Sequence, residues 1–171
     1  MVEPVGDRVV WPVMVSLAEC LCTQITDSGL PEPCFCGIYP GQQVPFDYCD
    51  GCEDGKCGQA WVRLSQTYLS KIFPAPDPEG TCIAPLAFVV EVGIIRCAPV
   101  ADENGNPPSM ADQLDTALLQ VNDMMAMRRA IMCCTQAFKH RRHVLQNYTP
   151  VGPLGGCVGG GWLVVFSGEE Y

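Results

Sequence analysis

The sequence predicts an α+β protein: a mostly antiparallel or mixed β-sheet packed by two helices, with a long cysteine-rich loop. Three observations carry this reading. Two stretches repeat apolar residues every three or four positions, as a helix buried along one side requires. Four other stretches are rich in β-branched and aromatic residues that alternate or form a short apolar run. Finally, 171 residues suffice for one hydrophobic core, so 1–171 is read as a single domain with 34–58 inserted as the cysteine-rich loop.

The first helix is expected from Asp7 to about Thr26, with Val10, Val13, Met14, Leu17, Ala18, Leu21 and Ile25 on one side. Pro12 is tolerated only in a first turn, which places the regular start near Trp11, and Asp27-Ser28-Gly29 ends it. From Leu30 to Gly58 no period is visible among Pro31, Pro33, Pro40, Pro45 and five cysteines, so a long loop is expected. Gln59 to Leu69 reads as a strand with Val62, Leu64 and Tyr68 on one side and Arg63, Ser65 and Thr67 on a wet one. A proline-rich break at 74–85 precedes a longer strand from Leu86 to Ala98, with Leu86, Phe88, Val90, Val92 and Ile94 on one face.

After a turn-rich loop at 99–108, Ser109 followed by Asp112 has the form of a capping box. The second helix is then expected to run through Leu114, Ala117, Leu118, Val121, Met124, Met125, Arg128, Ile131 and Met132 to about Phe138. Asp112 and Asp115 near its start, and Lys139, Arg141 and Arg142 past its end, suit the helix dipole. Val144 to Thr149 is read as a strand, Gly152 to Gly161 as a loop, and Trp162 to Phe166 as a short strand buried on both faces. The expected order is helix, strand, strand, helix, strand, strand.

Composition narrows the function. Only 17% of residues are charged and 48% are hydrophobic, with a net charge of −9, so much of the surface is uncharged and suited to being covered by a partner. No apolar run approaches the ~20 residues that cross a bilayer, so no membrane partner is expected. The acidic N-terminus lacks the form of a signal peptide, and a cytosolic location with reduced thiols is expected. An acidic chain does not wrap nucleic acid but can surround it without holding it. Nine acids oppose two bases up to Ala60, whereas three acids oppose five bases from Ser109 to His143. That division lets neighbouring subunits attract head to tail.

Five cysteines, Cys34, Cys36, Cys49, Cys52 and Cys57, lie in one loop and resemble ligands for a tetrahedral zinc. Cys34-x-Cys36 is tighter than the usual knuckle, and the competing readings are disulfides closed on exposure or free thiols. Cys20, Cys22, Cys82, Cys97, Cys133, Cys134 and Cys157 are read as small core hydrophobes. His140 and His143 flank Arg141 and Arg142 without nucleophile geometry, so no enzyme is expected and no cofactor other than the possible zinc. The run holding Gly155, Gly156, Gly159, Gly160 and Gly161 precedes a strand instead of a helix, so it is a hairpin or an assembly contact and not a phosphate loop. Arg128, Arg129, Lys139, Arg141 and Arg142 form either a solvated helix end or a docking patch for an acidic partner or DNA phosphate.

With these segments in place, the chain resembles the tail-terminator and head-to-tail connector proteins of long, non-contractile-tailed actinobacterial phages. The stretches that carry the resemblance are the N-terminal helix, CGQAWVRL (57–64), VEVGIIRC (90–97), the long helix after PPSMADQL (107–114), and PLGGCVGGGWLVVF (153–166). The resemblance implies a subunit of a hexameric ring that caps the tail tube, ends its polymerisation and docks the head connector. Its partners would be further copies of itself, the tail-tube protein, the connector or stopper protein, and DNA passing through the lumen without sequence-specific binding. Its place would be the tail or neck of the virion, reached from the host cytoplasm. Stopper and adaptor are the alternatives within the family, the mixed α and β pattern favouring the terminator. Outside it, the alternatives are a zinc- or disulfide-stabilised protein-binding module and a secreted disulfide-rich domain.

Overall fold

The computed structural model describes residues 8–79, 84–133 and 140–170. Helix α1 is Val10–Asp27 and is followed by strand β1, Phe35–Ile38, and a short helical turn, Glu53–Gly55. Strands β2, Gln59–Leu69, and β3, Leu86–Cys97, lead to helix α2, Met110–Cys133, and then to strands β4, Arg141–Leu154, and β5, Cys157–Glu170. The five strands form one mixed sheet in the order β1-β2-β3-β5-β4, antiparallel throughout except for β1 beside β2. Both helices lie on one face, and the cysteine-rich segment covers one end of the other.

Helix α1 buries Val13, Met14, Leu17, Ala18, Leu21 and Ile25, the side read from its periodicity. Its end is a Schellman motif: the Leu30 amide donates to the Ile25 carbonyl, the Gly29 amide donates to Thr26, and Gly29 has φ +65°. The helix face of the sheet adds Val62, Phe88, Val90, Val92, Ile94, Val164 and Phe166 to this core. Because β3 is central, its opposite face is covered as well. Ala87, Val89 and Val165 pack at one end, and Trp61, Ile95, Cys49 and Cys157 at the other.

Helix α2 buries a side other than the one its apolar spacing marks. Its capping box forms as read: the Asp112 amide donates to Ser109 Oγ, and the Ser109 amide and hydroxyl donate to the Asp112 carboxylate. The side it buries, however, is Asp123, Ala126, Met127, Ala130 and Ile131. Leu114, Leu118, Val121 and Met132, part of the apolar spacing that marks the helix, are exposed. A buried ion pair sets this rotation. Arg96 on β3 donates from Nε and one terminal nitrogen to the two Asp123 oxygens at 2.9 and 2.7 Å, and its other terminal nitrogen donates to the Pro31 carbonyl at 2.5 Å. Arg96 and Asp123 are 4% and 1% exposed, so neither charge has solvent as an alternative partner.

Two loop expectations are also corrected. The segment read as structureless before Gly58 contains β1, too short to show a period and recruited as a parallel edge by β2. The glycine run at 152–161 is the β4–β5 hairpin, one of the two readings offered for it, with Gly155 and Gly156 at its turn, both at positive φ; the loop reading is corrected for Gly159, Gly160 and Gly161, which lie inside β5. These strand glycines serve close approach. A Cβ on Gly160 would enter the Tyr148 ring, and Gln120 of α2 donates to the Gly159 carbonyl. Arg141 and Arg142, expected just past α2, open β4. The expected last turn of α2, Lys139, Cys82 and Cys134 lie outside the described residues.

Replacing Asp123 with Asn leaves a buried guanidinium without its counter-charge, and a loss of about 3–5 kcal/mol in urea unfolding is expected. Adding Arg96→Met to Asp123→Leu recovers most of that loss if the charge, and not the packing, is responsible. Gly93 lies under the indole of Trp61 on the neighbouring strand. Gly93→Ala is expected to cost about 1–3 kcal/mol in the same assay, because a rigid ring cannot yield to the added methyl.

Candidate functional site

The five cysteines expected to hold zinc are instead directed at separate partners. Cys36 pairs with Cys22 of α1, Cys34 with Cys52, Cys49 with Cys157 at the start of β5, and Cys57 with Cys97 at the end of β3. Their Cα separations of 5.4 to 6.0 Å fit disulfides. Zinc needs thiolates, so this pairing argues against the zinc centre. Among the described residues, no group of three or more His, Cys, Asp or Glu side chains could hold a metal ion. The reading of Cys22, Cys97 and Cys157 as simple core hydrophobes is corrected by the same bonds, and Cys20 is also disulfide-bonded. Cys133 is free and exposed. Spacing alone does not reveal connectivity, because each partner outside the loop is brought near only when the sheet forms.

Cys49–Cys157 and Cys57–Cys97 fasten the loop over the sheet face opposite the helices, while Cys22–Cys36 ties β1 to α1 on the helix side. The Cys49–Cys157 link spans 108 residues and Cys57–Cys97 spans 40. In the chain-entropy account, closing a loop of 100 residues contributes about 4.7 kcal/mol against about 3 for one of 15. The long links therefore stabilise the lobe most. Beneath it, Gln59 donates to the Pro45 carbonyl at 2.7 Å, and Phe35 stacks on Tyr48. At its rim, Lys56 lies 2.8 Å from Glu32 and holds that carboxyl below its usual range, by hydrogen bonding first and charge second. A lowered carboxyl stabilises the fold above its ordinary pKa, and that contribution disappears as pH falls through the lowered value; with both partners exposed it is small. Burial, followed by the charge of Asp47, pushes the Tyr39 phenol up.

The basic residues are divided. Arg128 and Arg129 are exposed on α2, whereas Arg141 is 8% exposed and donates to the Gly168 carbonyl at 2.9 Å. Arg142 lines a small cleft with Ser70, Lys71 and Glu169 on the far side of the sheet. Among the described residues, Arg128 and Arg129 lie on α2, whereas Arg141 and Arg142 belong to β4.

Among the described residues, two apolar surfaces outside the core stand out. One is a groove of about 560 Å³ between the start of α1 and the β1 edge, lined by Val10, Trp11, Met14, Ile38, Tyr39 and Leu64. The other is the outer side of α2, where Leu114, Leu118, Val121 and Met132 are 68, 58, 52 and 44% exposed. The second is present in the sequence as the apolar spacing that marks the helix. No protein-family model matches the chain, and no curated protein matches it.

Alkylation of the denatured, unreduced protein is expected to leave Cys20, Cys22, Cys34, Cys36, Cys49, Cys52, Cys57, Cys97 and Cys157 unmodified, with Cys133 labelled. Peptide mass spectrometry after reduction and a second label checks each position. Zinc above a tenth of an equivalent in the same preparation contradicts the disulfide assignment.

Proposed function

We propose that this chain is a structural virion subunit of the tail-terminator kind, forming a ring that caps the tail tube, stops its polymerisation and receives the head connector. One observation carries the reading: the sheet ends on two unlike sides. On one side is the short edge strand β1 with the apolar groove beside it; on the other is the 14-residue edge strand β4. A ring requires two different surfaces on one subunit, so that each copy meets the next head to tail. Sheet edges supply main-chain donors and acceptors for such a contact. Six copies, a tail-tube partner and a connector or stopper partner come from the resemblance. The acidic balance suits a lumen through which DNA slides without being held. Disulfides fit this setting when they close as particles leave the reducing cytoplasm.

The disulfides also favour a second reading, an extracellular binding module stabilised by cross-links. The two differ in assembly. Negative-stain images of the oxidised protein at high concentration are expected to show closed rings with a central hole, and the protein is expected to co-purify with a tail-tube protein. Monomers or dimers without rings, together with no binding to tail-tube or connector proteins, would overturn the ring reading and favour the module.

A further inference from the structure

The outer side of α2 is more regular than a scatter of exposed hydrophobes. Leu114, Leu118, Val121, Met125, Arg128 and Met132 follow one another at spacings of four, three, four, three and four. That is the seam of a two-helix coiled coil, repeating every 3.5 residues. On a helix with a rise of 1.5 Å per residue the seam is about 27 Å long. The helix is anchored by the opposite side, through Asp123, Ala126 and Ala130, so the seam points away from the protein's own core.

We propose that α2 pairs with α2 of a second copy of this chain, antiparallel, across a two-fold axis near Asn122. Charge decides both the occupant and the direction. Alongside the seam run Asp115, Asn122 and Arg129, seven residues apart and all exposed, so the sign reverses from one end to the other. Antiparallel pairing sets Asp115 of each copy against Arg129 of the other, twice per dimer, with Asn122 meeting its counterpart at the axis. It also lays the Arg128 stem over Leu118 of the second copy, leaving the guanidinium at the margin. Parallel pairing instead puts Arg128 against Arg128 within the seam and gives Asp115 no basic neighbour. The sequence of this one face is therefore complementary to itself, as a two-fold contact demands.

A single helix pair covers less than the roughly 800 Å² per partner of a standard interface, so dissociation in the micromolar range is expected. The pairing uses a symmetry and a face different from those of the proposed ring, and stands whether or not the ring forms.

Analytical ultracentrifugation of the full oxidised chain tests it. The unmodified protein is expected to show a concentration-dependent monomer–dimer equilibrium, or even-numbered assemblies. Asp115→Arg and Arg129→Asp, each alone, are expected to weaken association about tenfold, since each turns two attractive pairs into two repulsive ones. The double variant is expected to return to the unmodified value. Leu118→Glu is expected to abolish association with unchanged circular dichroism and thermal midpoint, because the side chain is not part of the core. Absence of self-association, or a double variant no better than the single ones, would overturn the antiparallel pairing. Loss of rings with dimers retained would instead count against the ring reading alone.

Discussion

The bidentate pair between Arg96 and Asp123 is the contact on which the arrangement of the helices depends. It joins β3 to α2, and through the Pro31 carbonyl it also fastens the chain leaving α1. Three segments distant in sequence thus meet at one guanidinium. A buried pair of this kind adds little net stability, since desolvating both ions offsets their attraction. Its effect is on geometry: with both charges enclosed, any rotation of α2 that turns Asp123 outward strands Arg96, so one rotational setting is strongly preferred.

That setting has consequences on both sides of α2. Facing inward, small residues such as Ala126 and Ala130 allow the helix to lie close, and Trp162 of β5 donates its indole N–H to the Met124 carbonyl at 3.2 Å. Gly160 leaves room for the Tyr148 ring, and Gln120 donates to the Gly159 carbonyl. Facing outward, the long apolar residues remain uncovered. The opposite face of the sheet is organised by another means, since a proline- and glycine-rich segment cannot offer a periodic apolar side. There the loop is held by covalent links to the ends of β3 and β5, over Trp61 and Ile95.

A low charge density and an uncovered helix side belong together. Surface that is neither charged nor part of the core is surface prepared for contact, and this molecule carries it in two places of different shape. The groove beside β1 is concave and the outer side of α2 is convex. Among the described residues the basic side chains are divided, Arg141 turning inward to its own backbone while Arg128 and Arg129 are exposed on the helix. These features are the ones on which the proposed assembly with other protein copies rests.

Much of the architecture was legible in the residues themselves. The buried side of α1, the capping box at Ser109 and the alternating face of β3 follow from local spacing, which the chain carries before it folds. The glycine run and the four residues of β1 were not legible, because their strand state comes from pairing with neighbours. The cysteine partners were hidden for the same reason: Cys157 lies 108 residues from Cys49 and is adjacent only in the finished sheet. Helix α2 shows the boundary most clearly. Its sequence determines a helix with apolar residues on two opposite sides, and periodicity cannot rank one above the other. Tertiary structure decided between them, because Arg96 on a strand 27 residues away accepts only the side that carries Asp123.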